Sequence, residues 1–179
     1  MKGPAIFLAQ FIRDEAPFNS LEGLCKWAAG HEYEGIQVPT LSSPVIDLRK
    51  AAESKSYCDE LKGKIGSYGL EISELSTHMQ GQMIAVHPAY DILFDPFVPK
   101  EVQGNAKART AWAVEQLKMG AKASRNLGLD AHVTFSGGLA WPYVYPWPKR
   151  PQGLIDEAFE ELAKRWLPVL NYFDEQGID

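Results

Sequence analysis

The segment Gly69-Leu70-Glu71-Ile72-Ser73-Glu74-Leu75-Ser76-Thr77-His78 carries the clearest strand pattern in the chain. Its first glycine can end a preceding helix in the left-handed conformation, and the residues after it alternate as they do along an extended strand. Alternation places Glu74, Ser76 and His78 on one face. A polar face is costly to bury beneath helices, whereas the interior and mouth of a catalytic barrel can hold one. The segment therefore favours a barrel strand that closes at His78.

On both sides of this strand, the same order of strand and helix recurs. Short apolar runs predict three further strands, at Ala5–Phe11, Gly35–Thr40 and Ala131–Ser136. Apolar residues at helical spacing predict four helices, at Leu21–Gly30, Lys55–Tyr68, Asn105–Leu127 and Ile155–Phe173. This alternation implies parallel pairing with right-handed crossovers. The last residues, Gly177-Ile178-Asp179, look like those that introduce earlier strands, so we expect a fifth strand to be missing.

The composition is that of an ordinary globular protein. At 179 residues, with 45% apolar and 23% charged residues, the chain can bury the core of one domain. A net charge of -5 argues against a nucleic-acid partner, because such proteins need a basic surface. Cys25 and Cys58 lack CxxC spacing, which predicts free buried thiols in a reducing compartment. Neither a cleavable leader nor an apolar run of membrane length is evident, so we expect a cytoplasmic protein with no membrane partner.

Two long connections are predicted to carry function. Residues 79–104 exceed the ~12–15 residues at which a loop without its own secondary structure becomes unusual, and such loops are commonly functional. Residues 137–153 hold Trp141 and Tyr143 among four prolines. Solvent-exposed linkers do not normally carry aromatic residues at this density. The second connection is therefore predicted to form a wall of a pocket.

Several stretches resemble one protein family. They are residues 69–78 with Gln80-Gly81-Gln82 after them, Ala131-His132-Val133-Thr134-Phe135-Ser136-Gly137, and Ala140-Trp141-Pro142-Tyr143. These stretches resemble the xylose isomerase-like barrels of the sugar phosphate isomerase/epimerase family, and the likeness extends over essentially all 179 residues. The resemblance implies an α/β fold, a parallel (β/α)4 half of a TIM-type (β/α)8 barrel. Residues 1–179 would then form a single N-terminal-half domain, truncated before the fifth strand.

The resemblance also implies a chemistry. Family members isomerise or epimerise sugars or sugar phosphates, with a divalent Mn or Mg ion assisting proton transfer next to a sugar carbonyl or hydroxyl. Their metal ligands are Glu, Asp, His and Glu from the second half of the barrel, beginning with the strand that would follow Asp179. We therefore expect this chain to carry substrate-side residues only, to hold no metal alone and to be inactive alone. A related lyase acting on oxidised sugars is a further alternative.

Candidate substrate-binding residues are polar or aromatic side chains at the predicted strand ends and just beyond them. They are His78, Gln80, Gln82, Gln10, Gln37, Ser136, Trp141 and Tyr143. Imidazole and amide groups can both donate and accept hydrogen bonds, which suits a polyol, and aromatic planes can stack on a sugar ring. For each residue a structural role stays open, and no catalytic residue is assigned. Glu71 and Glu74, three residues apart, are placed on opposite faces and excluded as an acid–base pair.

Three alternatives remain at this point. Ser136-Gly137-Gly138 could cradle a phosphate with backbone N–H groups, although no helix follows immediately. A half-barrel has open sheet edges, so a non-catalytic module that binds a sugar or dimerises is possible, and we expect self-association or pairing with a C-terminal half. A small flavodoxin-type domain would need a short phosphate loop after its first strand. The residues at that position, Gln10-Phe11-Ile12-Arg13, are poorly suited to forming such a loop.

Overall fold

The structure is a computed structural model that describes residues 3–41, 43–144 and 147–179. The chain divides into two compact units. The first, called the sheet unit, comprises Met1–Thr77, Met119–Val133 and Phe173–Asp179. The second, called the loop unit, comprises His78–Lys118 and Thr134–Tyr172. A single domain over residues 1–179 stays a prediction.

Four parallel strands form the sheet. They are β1 (Ala5–Phe7), β2 (Gly35–Pro39), β3 (Glu71–Ser76) and β4 (His132–Val133), and they lie side by side in the order β1-β2-β3-β4. A doubly wound flavodoxin-type sheet reverses its strand order near the middle, whereas a barrel adds each strand beside the last. The sequential order therefore confirms the predicted half-barrel class and excludes the flavodoxin alternative.

Helices connect and flank these strands. The described residues form the helices α1 (Leu21–Gly30), α2 (Leu48–Glu53), α3 (Lys55–Gly66), α4 (His78–Gln82), α5 (Ala106–Leu127) and α6 (Leu154–Gln176). Helix α1 begins where predicted, because the Ser20 hydroxyl accepts a hydrogen bond from the Gly23 N–H and so satisfies one free donor of the first turn. None of the described helices combines the length and apolar character needed to cross a membrane.

The first and fourth strands are shorter than predicted. Strand β1 ends at Phe7, and the chain then turns, with the Phe11 N–H donating to the Leu8 carbonyl. Strand β4 has two residues instead of six. It pairs along its length with β3, which ends at Ser76, and the last bond between them runs from the Thr77 N–H to the Val133 carbonyl. Beyond Val133 none of the described strands continues beside the chain, so apolar character alone cannot extend β4.

A bulge in β3 changes which side chains share a face. Ile36 pairs with Ile72, but the next residue of β2, Gln37, pairs with Glu74, which leaves Ser73 as the extra residue. Strict alternation predicts Ile72 and Leu75 on opposite sides, and the bulge instead places both on the side of Ile36 and Val38. By the same register, Glu71 and Glu74 lie on one side. The predicted exclusion of these two glutamates on alternation was therefore wrong.

The hydrophobic core lies on one side of the sheet. Ile36, Val38 and Leu75 are fully buried there, together with residues of α1, α2, α3 and the end of α5. A barrel has such a helix-covered core on the outer side of its strands, which turn their other side toward the interior. The core includes Cys25 and Cys58, which are both free and buried as predicted. Burial raises the pKa of the Cys25 thiol to about 11.

The last residue of the chain extends the sheet. Asp179 donates its backbone N–H to the Asp130 carbonyl at 2.9 Å and accepts the His132 N–H at 2.8 Å. These two bonds form a parallel ladder step beside the start of β4. Gly177, with φ of +70°, follows the last residue of α6 and lies two residues before Asp179. Asp179 therefore occupies the position at which a strand following α6 would begin.

The loop unit is more ordered than the sequence suggested. The predicted connection 79–104 contains the rest of α4 and two 3₁₀ helices, Pro88–Phe97 and Lys100–Val102. A further 3₁₀ helix, Trp141–Val144, lies in the second connection, of which residues 145 and 146 are outside the described part. His78 does not close β3 as predicted. It is the first residue of α4.

Candidate functional site

Six of the eight candidate residues lie in the loop unit. They are His78, Gln80, Gln82, Ser136, Trp141 and Tyr143. Gln10 and Gln37 belong to the sheet unit. Helix α4 follows β3 after one residue, and Thr134 follows β4 directly. The chain segments that leave the carboxyl ends of these two strands therefore carry most of the candidate site.

His78 stacks on Phe135. The ring centroids are 4.2 Å apart and the planes are inclined by only 18°. Burial lowers the pKa of His78 below its ordinary value, so the imidazole is neutral at pH 7. A neutral imidazole carries one hydrogen-bond donor and one acceptor, which is the combination that a hydroxyl group can satisfy. Phe135, which is 47% exposed, was missing from the predicted site.

Helix α4 lies directly against the backbone around Phe135. A side-chain carbon on Gly81 would stand only 2.0 Å from the Phe135 carbonyl oxygen and 2.1 Å from the Thr134 hydroxyl oxygen. Only glycine can occupy this position without a shift of the backbone. The neighbouring Gln80 is 1% exposed and Gln82 is half-buried. Gln80 is therefore packed inside the loop unit, and Gln82 is the more accessible of the two predicted amides.

The glycines after Ser136 do not form the phosphate cradle that was considered. The Gly138 N–H already donates to the Ala85 carbonyl at 2.8 Å, and the Ser136 hydroxyl donates to the Gly137 carbonyl at 3.0 Å. A side-chain carbon on Gly137 would stand 2.6 Å from the carbonyl oxygens of both Gln82 and Ala85. Carbonyl oxygens repel a phosphate. The loop instead fastens two segments of the loop unit together.

The two aromatic candidates have different surroundings. Trp141 stacks on Phe94 at 6.3 Å with planes 16° apart, and Tyr90 meets it edge-on at 5.9 Å. The Tyr143 ring meets that of His87 at 6.0 Å and 82°. Tyr143 and His87 also line an open cavity of about 420 Å³ beside the first turns of α6. Trp141 thus belongs to an aromatic cluster, whereas Tyr143 faces a cavity.

In the sheet unit, Gln37 is paired with a residue that the prediction left out. Its side-chain amide donates to the Glu74 carboxylate at 2.5 Å, on the side of the sheet opposite the core. Ser76 lies on the same side of β3, and its buried hydroxyl has no hydrogen-bond partner among the described residues. Gln10 is exposed in the turn after β1 and does not end a strand. The pattern of one polar residue at each strand end is therefore wrong for β1.

His132 has a structural role in the sheet unit. Its Nε2 lies 2.8 Å from the Thr77 hydroxyl and its Nδ1 lies 2.9 Å from the Ser124 hydroxyl. The ring also meets Phe173 edge-on at 5.2 Å. Both ring nitrogens are engaged within the sheet unit, so this histidine ties β4 to α5.

The described residues do not offer the donor set that a divalent ion needs. Within residues 3–41, 43–144 and 147–179, no group of three or more His, Cys, Asp or Glu side chains is placed to hold a metal ion. Mg²⁺ and Mn²⁺ need several converging ligands, mainly oxygen atoms. We therefore assign no chemical step of this chain to a metal.

Comparison with solved structures supports the half-barrel. A xylose isomerase domain protein from Planctomyces limnophilus superposes with a TM-score of 0.52 at 15% identity, over 97% of this chain and 50% of that chain. A D-psicose 3-epimerase with D-fructose gives a TM-score of 0.51 at 10% identity, over 99% and 50%. A D-psicose 3-epimerase from Clostridium cellulolyticum H10 with D-tagatose gives 0.50 at 11%, again over 99% and 50%. This chain thus spans about half the length of these structures.

No protein with a curated description matches the sequence. The family model described as "Xylose isomerase-like TIM barrel" matches residues 25–179, which is most of the chain. That match agrees with the sequential parallel sheet, the helix-covered core on one side of it and the fold of the solved neighbours. The chain therefore belongs to the xylose isomerase-like TIM barrel family.

Proposed function

We propose that this chain is the substrate-side half of a sugar isomerase or epimerase barrel, and that it binds a sugar or sugar phosphate through the loop unit. The observation that carries the proposal is the stacked pair of half-buried His78 and exposed Phe135, which lies in the segments that follow β3 and β4. In barrel enzymes, residues beyond the carboxyl ends of the strands bind the substrate. A neutral imidazole beside an exposed phenyl ring offers a hydroxyl a hydrogen-bond partner and a sugar ring an apolar surface.

The reaction needs groups that this chain does not bring together. Moving a proton next to a sugar carbonyl requires a base and a means of stabilising the oxygen anion that develops. In the complete enzyme a divalent ion, Mn or Mg, would supply that stabilisation from residues outside this chain. The chain alone is therefore expected to bind sugar without turning it over. It would act in the cytoplasm together with a second half-barrel.

Binding of sugar is tested by NMR titration of the 179-residue chain. D-Fructose and D-tagatose, which occur in the neighbouring structures, serve as probes, with fructose 6-phosphate to test for a phosphate requirement. We expect saturable shifts centred on His78. Replacing it (His78→Ala) should weaken binding about 3- to 10-fold, the equivalent of one hydrogen bond worth about 0.5–1.5 kcal/mol. His31→Ala, at the exposed end of α1, is the matched control.

Absence of saturable shifts with all three sugars would contradict the proposal. So would shifts that His78→Ala leaves unchanged. A phosphate requirement would appear as binding of fructose 6-phosphate alone, and we would expect the anion contact elsewhere than Ser136-Gly137-Gly138, where the Gly138 N–H and the Ser136 hydroxyl already donate to carbonyl groups.

A non-catalytic half-barrel that dimerises is the second candidate. One observation favours it, namely that the large apolar side chains Phe159, Leu167 and Leu170 of α6 are each more than half exposed. Exposed apolar surface of this kind commonly marks a protein interface. The two candidates differ in their response to the missing half, since only the enzyme half should gain turnover when a C-terminal half-barrel and Mn²⁺ are supplied together.

A further inference from the structure

We propose that Phe135 is a positioning residue for His78, which fixes the plane of the imidazole and keeps water from one of its faces, so that His78 meets a sugar hydroxyl as a neutral group. The identity of the ligand rests on the function proposed above. The placement of the two rings does not, and it can be tested without a ligand.

The geometry of the pair is that of a true stack. At 4.2 Å between centroids and 18° between planes, the two rings overlap face to face. Phe135 remains 47% exposed, and aromatic side chains of this size are usually mostly buried. An exposed phenyl ring that contributes little to the core and covers a half-buried histidine is better explained by its effect on that histidine.

The backbone holds the two rings in place. Gly81 lies three residues after His78, which is about one turn of α4, and its Cα faces the Phe135 carbonyl too closely to admit a side chain. The first turn of α4 is thereby packed against the segment that carries Phe135. The Ser136 carbonyl, one residue further, accepts a hydrogen bond from the Trp166 indole N–H at 2.8 Å. Both rings of the stack are therefore attached to well-packed backbone.

Two opposing effects act on the charge of His78. Stacking on a phenyl ring would stabilise an imidazolium by about 0.5–1 kcal/mol at an exposed site, which would raise the pKa. Removal of water disfavours the cation, and burial does lower the pKa of His78 below 6.5. Because burial lowers the pKa of His78 and Phe135 covers one face of its ring, we expect the loss of water to outweigh the cation–π attraction. On this account Phe135 acts on His78 by covering one face of the imidazole.

The consequence for stability has a definite sign. A histidine whose pKa is lowered in the folded state takes up its proton more readily when the chain is unfolded. The stabilisation that Phe135 gives to neutral His78 is present above pH 6.5, and it is lost as the pH falls from 6.5 through the lower folded value. A pH-insensitive binding site near neutrality follows from this arrangement.

The test replaces Phe135 and follows His78 by NMR of the imidazole C–H signals across pH 4 to 8. Phe135→Ala should raise the pKa of His78 toward 6.5, whereas Phe135→Trp, which keeps an aromatic cover, should leave it low. Phe97→Ala is the matched control, because Phe97 is similarly exposed, at 41%, in the 3₁₀ helix Pro88–Phe97. A pKa that falls or does not move in Phe135→Ala overturns the inference.

Binding measurements on the same variants separate the inference from the proposed function. We expect Phe135→Ala to weaken sugar binding about 5-fold and Phe135→Trp to preserve it. If the pKa shifts as expected but the unmodified chain binds no sugar, the proposed function fails and the positioning role stands. If the unmodified chain binds sugar and Phe135→Ala changes neither the pKa nor the affinity, the positioning role is wrong.

Discussion

At the scale of single residues, the most specific stability prediction concerns Gly81. Gly81→Ala puts a methyl group 2.0 Å from the Phe135 carbonyl oxygen, so the backbone must move. Crowding of this kind costs about 1–3 kcal/mol. Gly63→Ala in α3, where nothing lies within 4 Å, should instead stabilise the chain by about 0.5–1 kcal/mol through the higher helix propensity of alanine. Urea unfolding of both variants measures the difference.

A neutral or stabilising effect of Gly81→Ala would show that α4 does not lie against Phe135, and would remove the support for the stack at His78. The Gly63→Ala variant controls for the general effect that replacing a helical glycine by alanine has on stability. Hydrogen exchange of the α4 amides would locate the change.

Individual site residues were only partly predictable from sequence. His78 and the two glutamines after it could be chosen as candidates from the sequence, because polar residues beyond a strand differ from the apolar pattern around them, and their role stays a prediction. Phe135 and Glu74 were not. The stack of Phe135 on His78 depends on a contact between residues 57 positions apart in the sequence. The Glu74 contact with Gln37 depends on a bulge at Ser73, and no residue type there predicts a bulge.

At the scale of the elements, Arg109 of α5 secures the 3₁₀ helix Pro88–Phe97. Its side chain is buried and its guanidinium group binds the carboxylates of both Asp91 and Asp95. Removing one partner of a buried ion pair costs about 3–5 kcal/mol, and because both carboxylates are partly exposed we expect about 2–4 kcal/mol for Arg109→Met. Arg49→Met, which breaks an exposed pair with Glu53 at 3.9 Å, should cost under about 1 kcal/mol.

Urea unfolding gives both values. Equal effects of Arg109→Met and Arg49→Met would contradict the role of Arg109. Faster hydrogen exchange confined to the 3₁₀ helix in Arg109→Met would support it, because the loss of the two contacts acts first on that segment.

A second prediction at this scale concerns the exposed apolar side chains of helix α6. Phe159, Leu167 and Leu170 fall within an arc of about 80° on an ideal helix and form an exposed apolar stripe. Replacing all three by glutamine should weaken self-association at least 10-fold, since each apolar side chain contributes up to about 1.5–3 kcal/mol when covered. Light scattering over a range of concentrations measures this. The double variant Glu160→Gln, Lys164→Gln, also exposed on α6, is the control and should leave association unchanged.

The sequence predicted which segments form helices and strands better than it predicted their lengths and their buried faces. The apolar series of α6 was correctly predicted to be helical, and the structure leaves Phe159 and Leu170 of that series exposed while burying Trp166 and Phe173. Spacing identifies the face of a helix but cannot show which part of that face another element covers. The short β4 has a similar cause, because the length of a parallel strand depends on its neighbour.

At the scale of the whole molecule, the sheet explains why a partner is expected. Strands β1 and β4 are both edge strands, and Asp179 takes up only the first ladder step beside β4. Unpaired edges and an exposed apolar stripe favour association with another chain or another half-barrel. The fold class was predictable because four strand–helix repeats dictate a parallel sheet. The identity of a partner was not predictable, since surface complementarity depends on the residues of both surfaces.

The most direct test of the half-barrel account is the solution mass of the 179-residue chain by light scattering after size exclusion, at several concentrations, with and without Mn²⁺. The account predicts a mass well above the 19.9 kDa of one chain, unaffected by Mn²⁺, because self-association covers the open edges when no C-terminal half is present. A monomer of 19.9 kDa at every concentration would contradict it.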